Sequence, residues 1–119
     1  MTKILIAEDN DLNLKLMTDI LTVQNYHVDA ASDGEIALLM LKKNKYDLLL
    51  LDLQMPKISG FGVLEQLKKD QNNIKTIVVS ACAMASEIEK AKELGCVDFI
   101  TKPIRLNDFL STVKRVLAE

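Results

Sequence analysis

The sequence predicts an α/β domain, a parallel sheet with helices on both faces, and three observations carry that prediction. The run Leu48-Leu49-Leu50-Leu51, bounded by Asp47 and Asp52, reads as a strand buried on both faces, as in the middle of a parallel sheet. Short apolar stretches alternate with longer amphipathic ones along the whole chain, and right-handed βαβ crossovers leave few other arrangements for such a pattern. At 119 residues the chain is long enough for one core and too short for two, so residues 1–119 are read as a single domain with nothing further tethered to it.

In order along the chain, Lys3 to Ala7 is a short buried strand. Asp11 to about Gln24 is a helix, with Leu12, Leu16, Ile20 and Val23 on one stripe, Met17 and Leu21 widening it, and Asn10 or Asp11 as its N-cap. Tyr26 to Ala31 alternates apolar and polar, as an edge strand does. Ser32 or Asp33 starts a helix through Ile36, Ala37, Met40 and Leu41 that closes near Asn44. After the leucine strand, a loop with Pro56 and Gly60 leads to a helix carrying Val63, Leu64 and Leu67, and Asp70 to Asn73 is a polar break. Ile77-Val78-Val79 is a β-branched buried strand ending at Ser80. A helix from about Ala85 turns Ile88, Ala91 and Leu94 inward and stops at Gly95. Val97 to Thr101 is the fifth strand, and Leu106 to Leu117 the last helix, packing through Phe109, Leu110, Val113 and Leu117. That makes five strands alternating with five helices.

Composition excludes several functions. Apolar residues at 49% exclude disorder, and no run approaches a membrane span. Glu8 and Asp9 interrupt the N-terminal apolar stretch after four residues, too soon for a signal peptide. Fifteen basic residues against 17 acidic ones give no electrostatic case for nucleic acid or an anionic membrane, and 4% aromatics without Trp provide no base-stacking platform. Cys82 and Cys96 are too far apart for a CxxC motif, and the single His27 cannot complete a zinc site, so both are read as reduced thiols of a cytoplasmic protein.

Polar residues gather at four strand ends: Glu8-Asp9, Asp52, Ser80 and Lys102-Pro103. Each has an ordinary structural reading, as helix cap, turn former or surface lysine. Together they lie where open α/β sheets bind ligands, and in a doubly wound sheet of order 2-1-3-4-5, where strands one and three are neighbours, Glu8, Asp9 and Asp52 would converge. Two unit charges about 4 Å apart repel by about 4 kcal/mol at an effective dielectric near 20. Such a cluster requires either a proton or a cation. An all-oxygen site with few protein ligands suits Mg²⁺, which shares its coordination with water and phosphate. Adding Lys102 as a positive charge and Ser80 as a hydroxyl donor completes the parts needed to hold a phosphoryl group during in-line transfer.

The pieces Ile4-Leu5-Ile6-Ala7-Glu8-Asp9-Asn10, Asp52-Leu53-Gln54-Met55-Pro56 with Gly60, Ser80-Ala81 and Phe99-Ile100-Thr101-Lys102-Pro103 resemble those of a response-regulator receiver domain over the whole chain. Glu8-Asp9-Asn10 with Leu12-Asn13, and Ala81 to Met84, most resemble the single-domain, cell-division-control type. The resemblance implies a flavodoxin-like sheet of order 2-1-3-4-5 with five helices. It implies a two-component phosphorelay protein that is not an enzyme beyond its own phosphorylation and dephosphorylation, with Asp52 receiving a phosphoryl group from a histidine kinase or histidine phosphotransfer protein. Mg²⁺ would be held by Asp9, Asp52, the Gln54 carbonyl and, through water, Glu8. Lys102 would contact the phosphoryl oxygens next to a cis Lys102–Pro103 bond. Ser80 and Phe99 would be the switching pair, acting on a downstream protein through the face of the fourth helix, fifth strand and fifth helix. The protein would be a monomer or weak dimer.

The first helix docks the histidine-bearing partner in relatives. Asn13 lies beside the site's mouth, and Leu14 is read as a peripheral core residue. Ser stands at position 80 where Thr is commoner, and Phe at 99 removes a hydroxyl that Tyr would bring. Gln54 and Cys82 occupy positions that tune acyl-phosphate hydrolysis in this family. A haloacid-dehalogenase-type phosphatase is disfavoured, because it needs a second acid two residues after the nucleophile and Gln54 stands there. A non-phosphorylated docking module is disfavoured by the presence of all five key side chains.

Overall fold

A computed structural model describes residues 1–119. The elements alternate as β1 (Lys3–Ala7), α1 (Asp11–Val23), β2 (His27–Ala31), α2 (Gly34–Lys43), β3 (Leu48–Leu51), α3 (Gly60–Lys69), β4 (Thr76–Ser80), α4 (Ala85–Glu93), β5 (Asp98–Thr101) and α5 (Leu106–Ala118). All strands are parallel, in the order β2-β1-β3-β4-β5, so the expected topology is the observed one. Four leucines fill β3 because it is the central strand, covered on both faces, and each is fully buried.

Alternation along the strands divides the core in two. Leu5, Leu49, Leu51 and Val78 face α2, α3 and α4, where Ala37, Leu41, Val63, Leu64, Leu67 and Ala91 meet them. Ile4, Ile6, Leu48, Leu50, Ile77 and Val79 face α1 and α5, against Met17, Leu21, Phe109, Val113 and Val116. Side-chain caps fix three helix starts: Asn10 accepts from the Asn13 amide, Asp33 from Ile36 and Ser59 from Gly62. Gly95 follows α4 with φ +108°, a conformation that other side chains resist.

Several helix faces differ from the periodicity reading. In α1 the buried pair is Met17 and Leu21, flanked by half-buried Leu14 and Ile20, while Leu12 is 80% exposed, Val23 78% and Leu16 43%. Two adjacent stripes of this helix are apolar, and docking onto the sheet beside α5 selects the one through Met17. Ile36 of α2 is 37% exposed rather than buried, and Val97 precedes β5 and is exposed. In α5, Val116 is fully buried, while Leu110 and Leu117 are half-buried. Leu14 packs against the core, as expected for a peripheral core residue.

Candidate functional site

Backbone hydrogen bonds continue past the strand ends and bring the polar residues together. The Glu8 amide donates to the Ala31 carbonyl, the Asp52 amide to Ala7 and the Lys102 amide to Ser80, at 2.9–3.0 Å. Glu8 and Asp52 therefore sit side by side beyond β1 and β3. Gly60, at the start of α3, lies against the backbone just after Asp52; a Cβ there would fall 2.3 Å from the Asp52 carbonyl oxygen. The loop leaving β3 is thereby pressed onto α3.

Carboxylate oxygens of Glu8, Asp9 and Asp52 lie within 4.8 Å of one another. Glu8 and Asp52 are buried, and Asp9 is exposed at the rim. Lys102, its side chain 12% exposed, reaches between the two buried acids, with Nζ 3.0 Å from Asp52 Oδ2 and 2.6 Å from Glu8 Oε1. The first contact is a hydrogen bond; the second is an ion pair poorly aligned for one, which leaves buried Glu8 Oε1 without a hydrogen-bond partner. Glu8 Oε2 accepts from the Asn10 amide at 3.1 Å, and Asp52 Oδ1 from the Gln54 amide at 3.2 Å.

The electrostatics follow from this packing. Burial raises the Glu8 carboxyl above the ordinary glutamate range, and Asp52 adds to the rise, while Lys102 and the Asn10 amide only partly oppose it. For Lys102, burial disfavours the charge, but its close contacts with the Glu8 and Asp52 carboxylates outweigh that and hold the ammonium above the usual lysine range.

An open cleft of ≈ 380 Å³ covers these groups, lined by Glu8, Asp9, Asn10, Asn13, Asp52, Gln54, Ala81 and Lys102. Of the six residues singled out from the sequence, five line this cleft. Ser80 does not: it is buried just behind, its Oγ accepting from the Cys82 amide at 3.2 Å. Asn13, expected beside the mouth, Asn10, read from the sequence only as a helix cap, and Ala81, given no role of its own, complete the lining. The Lys102–Pro103 bond is cis. Phe99 is half-buried against the core on the α2–α4 side.

The donor set fits a divalent cation. Three carboxylates against one ammonium leave two formal negative charges, all donors are oxygens, and one buried carboxylate oxygen lacks a hydrogen bond.

Comparison with known proteins agrees with this geometry. The response regulator receiver domain family matches residues 4–114. The polar-differentiation response regulator DivK of Brucella ovis is 37% identical over 122 residues, covering 100% of this chain and 99% of that protein. Among solved structures, the non-phosphorylated HemR receiver domain of Leptospira biflexa superposes with a TM-score of 0.93 at 30% identity, over 100% of this chain and 96% of the other. At 23% identity and a TM-score of 0.90, over 99% of this chain and 98% of the other, the receiver domain of a Pseudomonas aeruginosa sensor histidine kinase shares the fold; that protein has a magnesium ion coordinated in its active-site cleft. Receiver domains are signalling proteins that are phosphorylated on aspartate and bind Mg²⁺ in an acidic pocket. The chain belongs to the response-regulator receiver-domain family, and within it is similar to the single-domain receivers of cell-division control.

Proposed function

We propose that this protein is a phosphorelay response regulator whose residues 1–119 act as one receiver unit, with Asp52 as the phosphoacceptor. The observation that carries the reading is the convergence of Glu8, Asp9, Asp52 and Lys102 on one cleft at the carboxyl edge of the sheet. An Asp52 carboxylate oxygen attacks phosphorus, the P–N bond of a phosphohistidine on a histidine kinase or phosphotransfer protein breaks, and the electron pair leaves with the imidazole nitrogen. Asp9, Asp52, the Gln54 carbonyl and, through water, Glu8 would hold Mg²⁺, which when bound neutralises charge developing on the phosphoryl oxygens. Lys102 turns its ammonium from the carboxylates to the transferred group, and Ser80 donates its hydroxyl to it. The exposed side of α1, with Leu12 and Leu16, and Asn13 at the mouth of the cleft offer the partner a docking surface.

Output follows as a shift between two pre-existing states. Ser80 moves towards the phosphorylated Asp52, Phe99 turns into the space vacated, and the α4-β5-α5 face changes for a downstream protein. The reading implies a cytoplasmic monomer or weak dimer. The experiment is intact-mass measurement after incubation with Mg²⁺ and acetyl phosphate or phosphoramidate, with Asp52→Asn alongside. One phosphoryl adduct that needs Mg²⁺ and is absent from the variant is expected; a folded protein that gains no adduct overturns the assignment.

A further inference from the structure

We infer that Cys82 and Glu87 form a hydrogen-bonded relay that positions the start of α4 and ties it to Ser80. The inference rests on Ser80 being the switching hydroxyl of the proposed function and assigns two residues to its output. The Cys82 amide donates to Ser80 Oγ at 3.2 Å, and the Cys82 thiol donates to Glu87 Oε1 at 2.8 Å. One residue thus holds the serine with its backbone and the first turn of α4 with its side chain. The bond to Glu87 also raises the Cys82 thiol above the ordinary range, which keeps its proton available for donation.

The helix needs such a mooring. Its N-cap, Met84, makes no side-chain capping bond, unlike Asn10, Asp33 and Ser59. Ala91 is its one buried residue, and its ties to α3, Lys90 over the Phe61 ring and Lys68 to the Glu93 carbonyl, lie in its second half. Apart from half-buried Ile88, the side-chain tie of the first turn is the bond to Cys82. When Ser80 turns its hydroxyl towards a phosphoryl group it releases the Cys82 amide, and the displaced loop carries Glu87 and the first turn of α4 with it.

The test measures amide exchange over residues 85–91, with and without Mg²⁺ and acetyl phosphate, alongside adduct formation by intact mass. Cys82→Ala retains the Glu87 charge at the helix N-terminus, and Glu87→Ala removes the acceptor; Cys82→Ser and Glu87→Gln each preserve a donor–acceptor pair. In the resting protein, both alanine variants are expected to exchange about fivefold faster in the first turn, the factor matching loss of one ordinary hydrogen bond. Exchange is compared at equal adduct occupancy, read by intact mass for each variant; at that occupancy phosphorylation no longer changes the exchange of the alanine variants, whereas the Ser and Gln variants behave as the wild type. Alanine variants that take the adduct and respond as the wild type does overturn the relay. If no variant nor the wild type takes the adduct, the proposed function fails by itself. The resting measurement then decides the relay: faster exchange restored by Cys82→Ser supports the mooring, and unchanged exchange refutes it.

Discussion

Replacing Lys102 by Met tests the electrostatic account of the site directly. The side chain removed is the one cation in contact with two buried carboxylates, Glu8 and Asp52. With acid oxygens within 4.8 Å of one another, the uncovered repulsion is about 3.5 kcal/mol at an effective dielectric near 20. Glu8 can escape by taking a proton. From an ordinary glutamate range that costs about 3 kcal/mol at neutral pH, and less here because the native carboxyl is already raised. The loss of stability is therefore expected to be about 2–3 kcal/mol, near 10 °C in Tm for a chain of this length.

The sign with pH follows. Glu8 has a native pKa above its unfolded value of 4.5, and Lys102→Met raises it further. Stability from its protonated form is present below that unfolded value and lost as pH rises through the native one. The deficit relative to wild type is therefore largest at neutral pH and closes on acidification. Mg²⁺ in excess restores the charge balance and closes it as well. Urea unfolding followed by far-ultraviolet circular dichroism, suited to a chain without Trp, measures all three conditions. A variant equal to wild type at neutral pH, or a deficit that neither acid nor Mg²⁺ alters, refutes the reasoning.

Three further predictions concern the frame of the site. Met17→Ala in α1 should cost about 2–5 kcal/mol, and Leu12→Ala on the same helix stay within about 0.5 kcal/mol, in chemical denaturation; similar losses at both positions would contradict the observed face. Gly60→Ala puts a Cβ 2.3 Å from the Asp52 carbonyl oxygen, and overpacking of that kind costs about 1–3 kcal/mol. Chemical-shift mapping should show the disturbance centred on residues 52–54, and no shift there would contradict the close approach. Tyr46→Phe removes the hydroxyl that donates to Asp29 Oδ2 at 2.7 Å, the main cause holding the Asp29 carboxyl below its ordinary range. It should cost about 1 kcal/mol at neutral pH. Because the Asp29 contribution is present above 3.8 and lost as pH falls through its lower native value, the difference should fade in acid. A difference that persists there assigns the loss to packing alone. On the alkaline side, burial and Asp29 push the Tyr46 hydroxyl up to about 12, so its own contribution should fade as pH rises towards that value.

The sequence by itself determined the alternation of elements, because apolar runs of strand length and helical periodicity are local properties. It placed Glu8, Asp52, Ser80 and Lys102 at strand ends, and the resemblance of the surrounding motifs supplied the strand order that brings those ends together. Tertiary structure decided what depends on neighbours distant in sequence. The stripe of α1 that faces inward was one such choice, since Leu12-Leu16-Val23 and Leu14-Met17-Leu21 are equally apolar and only the sheet and α5 distinguish them. Another was the bridging of Glu8 and Asp52 by Lys102, across 94 and 50 positions of sequence. The Cys82–Glu87 bond spans only five positions, yet it too was hidden in the sequence: a thiol and a carboxylate meet only once the turn between them is folded.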